Sequence, residues 1–151
     1  MISISINAVT SGGLLVAGTP PPLDDFMWTA YPLTFASFST AAATNTILLA
    51  SPPAKTVLHG VAIKHDVAFT GGGLTGYTLS VGRAAVLDRH ATAHSVFSVP
   101  NSTNAELSLN FACDDFVIPT QFNITAVCTG GLLNAATAGT VTIWLCTTLI
   151  P

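Results

Sequence analysis

The chain has 151 residues, enough for one domain with its own core. Only 7% of them are charged, against about 25% in a typical soluble domain, and four scattered Lys and Arg in a chain of net charge −3 cannot line a phosphate-tracking groove, which excludes nucleic-acid binding. Half of the residues are hydrophobic and mean hydropathy is +0.62, yet no apolar run approaches the roughly 18 residues of a membrane-spanning helix, so no membrane partner is expected.

The chain opens on Ile2-Ser3-Ile4-Ser5-Ile6, the strict alternation of a half-buried strand. No basic or continuous apolar stretch accompanies it, so no signal peptide is expected. Gly12-Gly13 interrupts, and Leu14 to Ala17 is a short apolar run. Thr19-Pro20-Pro21-Pro22 is stiff, extended and poor in hydrogen-bond donors. Residues 1–25 are therefore expected to form an extended arm or edge strand, and residues 26–151 the compact domain.

Residues 28–39 are rich in aromatics and Thr, with Phe35 and Phe38 as core or interface anchors. Residues 45–50 read as a strand ended by Ser51-Pro52-Pro53. Residues 56–69 are the strongest strand, with Val57, His59, Val61, Ile63, His65, Val67 and Phe69 predicted on one face. After a glycine loop, residues 77–82 alternate again, placing Tyr77, Leu79 and Val81 together. Residues 83–94 (RAAVLDRHATAH) are the one stretch expected to form a helical turn or short helix. Strands are then predicted at 96–99, 106–112, 116–118, 122–128 and 140–148. In the last, Val141, Ile143 and Leu145 share a face opposite Trp144 and Cys146. Residues 129–139, which include Leu132 and Leu133, read as a loop. Eight or more short strands with almost no helix predict an all-β antiparallel sandwich, jelly-roll-like, with an extended N-terminal arm.

The glycine loop FTGGGLTGY contains G-x-G-x-x-G at Gly71, Gly73 and Gly76. A dinucleotide site needs a helix N-terminus there to hold the pyrophosphate. Instead, Tyr77-Thr78-Leu79-Ser80-Val81 alternates as a strand, and Tyr77 stands where a P-loop needs Lys. The loop is instead expected to be a hairpin tip between two strands. His90 and His94 could pair as metal ligands on a helix, with Asp88 as a third, but no second cluster supports them. His59 and His65 read as core or rim side chains. Asp24-Asp25 and Asp114-Asp115 are neighbours in sequence, which in a strand would face opposite ways. No G-x-S-x-G is present, and Asn101-Ser102-Thr103 and Asn123-Ile124-Thr125 read as chance matches to a glycosylation acceptor. Cys113, Cys128 and Cys146 form no C-x-x-C and suit buried thiols in a reducing compartment, with a disulfide as the alternative. No catalytic residue, cofactor or metal site is expected.

With so few charges, Ser, Thr, Asn and Gly must keep the surface soluble, or other subunits must cover it; the second is the preferred reading.

Residues 55–82 (KTVLHGVAIKHDVAFTGGGLTGYTLSVG) resemble a pattern in structural proteins of tailed bacteriophages. There a strand of the form hydrophobic-x-G-V-x-I-K leads through a glycine-rich loop into L-S-V-G. Residues 135–146 (AATAGTVTIWLC) resemble the closing strand of such domains. The resemblance implies a virion β-sandwich domain, either a capsid decoration (cement) protein or a tail-fibre part, with no catalytic residues to carry over. The leading expectation is a decoration protein on the outer face of a phage head, assembled in the host cytoplasm. It would be a homotrimer whose partner is the major capsid protein, with Ile2, Ile4, Ile6, Trp28, Tyr31, Leu132 and Leu133 as interface residues. The alternative is a tail-fibre or tail-tip domain that binds a host glycan or receptor through Trp28, Tyr31 or Tyr77. A glycan hydrolase, using Asp114 or Asp115, is the least supported reading.

Overall fold

The computed structural model describes residues 27–97, 99–104, 119 and 121–149. The strands are β1 (Met27–Thr34), β2 (Thr44–Ala50), β3 (Thr56–Gly71), β4 (Gly76–Gly82), β5 (Ala91–Ser95), β6 (Asn101–Asn104), β7 (Phe122–Thr129) and β8 (Ala136–Leu149). They form two antiparallel four-stranded sheets, in the orders β1-β8-β3-β6 and β2-β7-β4-β5. The pairings nest: β1 with β8, β2 with β7, β3 with β6, and β4 with β5. The sandwich is all-β and antiparallel, as expected, and its nesting is that of a ribbon of paired strands folded over on itself.

One core lies between the sheets. Val61, Ile63 and Phe69 of β3 and Val141, Ile143 and Leu145 of β8 come from the first sheet. Tyr77, Leu79 and Val81 of β4 and Phe122, Ile124 and Ala126 of β7 come from the second. Burial of each large apolar side chain contributes about 1.5–3 kcal/mol. Phe38, in the 3-10 turn Phe35–Phe38 that follows β1, is fully buried, and Phe35 packs partly against the same core.

The long strand departs from a single alternation. Its register against β8 shifts between Leu58 and Gly60, between His65 and Val67, and again before Gly71. Each extra residue reverses which parity faces inward. Thr56 and Leu58 therefore point to the core before the first shift, and Val61, Ile63 and His65 after it. Val67, expected on the apolar face, is 45% exposed.

Other expectations are corrected. Residues 83–94 form no helix: 83–90 are turns, and β5 begins at Ala91. The turns are closed by Arg83 N–H to the Val86 carbonyl, Val86 N–H to the Arg83 carbonyl, and His90 N–H to the Val81 carbonyl. They return the chain from β4 to the adjacent antiparallel strand β5, and pairing overrides local helix propensity here. The strand expected at 96–99 lies earlier, at Ala91–Ser95. Asn101–Asn104, read only as a chance sequon, is the edge strand β6. β8 starts at Ala136, inside the expected loop.

The glycine loop is not a hairpin tip, because β3 and β4 belong to different sheets. It carries the chain across the sandwich beside a second crossing between β7 and β8. Thr75 N–H donates to the Thr129 carbonyl at 2.9 Å, and Gly72 N–H to the Ala135 carbonyl at 3.2 Å. Gly73 and Gly130 adopt φ of 78° and 81°, and a Cβ on Gly130 would stand 2.8 Å from Thr75 Oγ1. Glycine is needed here so that two loops can touch backbone to backbone.

The expected arm, with Ile2, Ile4, Ile6 and Asp24-Asp25, lies outside the described residues. So do the expected strands at 106–112 and 116–118, Cys113 and Asp114-Asp115.

Candidate interaction surfaces

The two outer faces differ in chemistry. On the first sheet, the register across β1, β8 and β3 sets three rows: Trp28–Cys146–Gly60, Ala30–Trp144–Ala62 and Pro32–Thr142–Lys64. Trp28 is 54% exposed and Trp144 37%. A Cβ on Gly60 would be 2.9 Å from Cη2 of Trp28. The Trp28 indole therefore reaches across β8 to Gly60 and covers Cys146, which is buried. Alanines flank Trp144 on both neighbouring strands, so its indole stands above its own row. Lys64 pairs with the exposed Asp66 at 2.9 Å, a contact that contributes little at a surface. The face is thus aromatic and poor in net charge.

The outward side of the second sheet is rich in hydroxyl groups, exposed at Thr44, Thr46 and Ser95 and buried at Ser80 and Thr125. Its rows are Thr44–Val127–Thr78–Ser95, Thr46–Thr125–Ser80 and Leu48–Asn123–Gly82. Thr46 Oγ1 and Thr125 Oγ1 are hydrogen-bonded at 2.9 Å. The turns at 83–90 fold back over part of this face, where Ser80 Oγ donates to the Leu87 carbonyl at 3.1 Å. Gly82 leaves room for that return, since a Cβ there would meet the Val86 and Leu87 backbone.

The histidines serve the fold. His65 Nε2 donates to the Val99 carbonyl at 2.6 Å, linking β3 to the segment before β6. Its ring lies 5.7 Å from that of His94 on β5, so the pair bridges the two sheets. Burial, and then the charge of His65, hold the His94 pKa below its ordinary value. His59 bonds Thr148 Oγ1 at 2.7 Å, and burial lowers its pKa too. His90 packs edge-on to Phe122, 5.3 Å between centroids. Among the described residues no three His, Cys, Asp or Glu side chains are grouped as metal ligands.

The expected interface residues separate. Trp28 and Leu132 are exposed, Tyr31 packs partly against the core, and Leu133 is fully buried within it. Tyr77, considered for a sugar platform, is only 1% exposed and lies 4.8 Å from the Phe69 ring, so it cannot serve as one. Burial raises its phenol pKa, with Cys128 adding to the shift. Trp144 and Leu48 are among the exposed hydrophobics that sequence reasoning passed over as surface residues. The placement of Trp144 opposite Val141, Ile143 and Leu145 already signalled its outward direction. Cys128 and Cys146 are buried thiols without a disulfide, both raised in pKa by burial. A cavity of about 610 Å³ is lined by Ser51, residues 83–86, Arg89, Pro119 and Gln121, and both of its arginines are already engaged in interactions.

No family model matches the chain, and no curated protein matches it. Solved structures with this fold include a chain of "Cyanophage Pam1 capsid asymmetric unit", with TM-score 0.59 and 17% identity, over 91% of this chain and 95% of that one. A chain of "Capsid of Ralstonia phage GP4" has TM-score 0.50 and 17% identity, over 91% of this chain and 92% of that one. At such identity the likeness is one of fold, and it runs nearly end to end in both.

Proposed function

We propose that the chain is a structural protein of a bacteriophage virion, and within it a capsid decoration (cement) subunit. It binds the outer face of the head as a homo-oligomer, a trimer, with the major capsid protein as its partner. The observation that carries this reading is the fold shared with a chain of a cyanophage capsid asymmetric unit, over 91% of this chain and 95% of that one. The 7% charge content and the exposed Trp28, Trp144 and Leu48 support it, because such a surface suits subunits that cover one another. Function is then mass action: many subunits bound to the assembled shell stabilise it by their affinity for that form. The reading places the protein on the virion surface after assembly in the host cytoplasm, and assigns it no catalytic step.

The test is to add purified protein to phage heads that lack it. Co-sedimentation at saturable stoichiometry and density on the outer shell in an electron-microscopy map are expected. Density confined to the tail would overturn the decoration reading.

Trp28 and Trp144 favour a second reading, a tail-fibre or tail-tip domain. They are diagonal neighbours on one face, the arrangement on which sugar rings stack. Binding of the isolated protein to host cells, lost in Trp144→Ala, is the result expected of that reading.

A further inference from the structure

The four sheet edges are unequally protected. β1 carries Pro32 in mid-strand, which lacks a ladder N–H. β6 has four residues, and β5 has five with a register shift against β4. β2 has seven residues, TNTILLA, without proline or charge. Among the described residues it pairs with β7 alone, and its irregularity lies at its far end, between Leu48 and Ala50. Its other side presents backbone donors and acceptors in the arrangement that an added strand satisfies.

The side chains along that edge define what fits. Ile47 and Leu49 are half-buried and pack against the rim of the core. Thr44, Thr46 and Leu48 point outward, continuous with Thr78, Ser80 and Thr125 on the hydroxyl-rich face. A strand added here must be apolar inward and small and polar outward. Ile2-Ser3-Ile4-Ser5-Ile6 has that alternation: its isoleucines would extend the layer of Ile47 and Leu49, and its serines the hydroxyl face. Five residues span roughly 17 Å, within the length of β2. Residues 7–26 join the segment to Met27 and reach up to about 65 Å when extended, enough to cross to a neighbour.

We propose that the open edge of β2 receives residues 2–6 of a second copy as an added strand, so that each subunit completes its neighbour's hydroxyl-faced sheet. This rests on the reading of the protein as an oligomeric virion subunit.

The test uses the full chain. Ile4→Pro removes a ladder donor from the added strand. Hydrogen exchange of the oligomer is expected to show β2 amides exchanging at least tenfold faster in Ile4→Pro than in wild type. Unchanged protection in β7 and β8 shows that the variant is folded. Mixing isotopically heavy Ser3→Cys with light Thr46→Cys chains, both on the outward face, is expected to give heavy–light disulfides between residues 3 and 46, assigned by peptide mass spectrometry. Equal β2 protection in both proteins overturns the proposal. So does the Ser3→Cys/Thr46→Cys double variant giving that disulfide only within single chains. Decoration of phage heads by wild type with β2 exchange insensitive to Ile4→Pro would sink this inference alone. Strand exchange without any binding to virions would sink the virion reading alone.

Discussion

Phe69 packs directly on Gly139: a Cβ at residue 139 would stand 2.5 Å from Cγ of the Phe69 ring. Gly139 has φ of 143°, a conformation that side chains rarely adopt. Phe69 is fully buried and follows the shifts in β3, so the missing side chain on β8 makes the room that lets the ring turn inward. Gly139→Ala is expected to lower stability by about 3 kcal/mol, combining overpacking with backbone strain. Urea unfolding measures this, and a loss below about 1 kcal/mol would show that the contact is not restrictive. Phe69→Ala should cost about 3–5 kcal/mol.

Acid should loosen the sandwich where His94 meets His65. The folded-state pKa of His94 is lowered from 6.5, by burial first and by His65 second. His59 is lowered by burial as well. Between the folded values and 6.5, the unfolded chain binds more protons than the native one. The stability tied to these neutral rings is therefore complete above pH 6.5 and is lost as the pH falls below it toward the folded values. The urea midpoint is expected to be flat from about pH 8 to 7 and to fall from about 6.5 to 5. His94→Gln should flatten part of that fall, and an identical profile in the variant would rule out His94 as a source.

Trp28 shields a thiol. Its indole reaches across β8 to Gly60, and Cys146 beneath is 5% exposed. Trp28→Ala is expected to speed labelling of Cys146 by a thiol reagent at least tenfold, followed by peptide mass spectrometry. Cys128, held against the Gly131 carbonyl at 3.3 Å, should label at an unchanged rate. Equal Cys146 rates in both proteins would mean that the indole does not cover it.

The Tyr77 hydroxyl is buried with no hydrogen-bond partner among the described residues. Burying an unsatisfied hydroxyl is costly, so Tyr77→Phe is expected to raise stability by about 1 kcal/mol. A loss of more than about 1 kcal/mol in calorimetry would reveal a partner for the hydroxyl.

Several features could be read without coordinates because they depend on local chemistry. Alternation in residues 77–82 marked β4, residues 122–128 were read as the strand that is β7, and Val141, Ile143 and Leu145 marked the inner face of β8. The absence of Lys after Gly76 was enough to dismiss a P-loop. The long strand was legible as a strand but not in its facing, because a register shift is settled by the partner strand. The helix expected at 83–94 failed for a related reason: Gly82, Ser80 and the β4–β5 pairing draw that segment into turns over the sheet. β6 left almost no signal, since four polar residues at an edge need only backbone pairing to β3.

Of the candidate surface, Trp28 and Leu132 were named as interface residues and are exposed, whereas Leu133 was not legible as buried; Tyr77 was, through its alternation with Leu79 and Val81. Adjacent leucines in a loop are equivalent in sequence. Only the 3-10 turn Leu133–Ala135, beside Phe35–Phe38, sends one inward and leaves the other out.

By itself, then, the sequence determined an all-β chain with little charge and strands ended by glycine and proline. These properties come from residue type and spacing along the chain. Tertiary structure alone decided which strands share a sheet, where β3 changes face, that Trp28 reaches across β8 to Gly60, and that among the described residues β2 pairs on one side only. Those properties depend on contacts between residues far apart in sequence, and a sheet position has no meaning until its neighbour is in place.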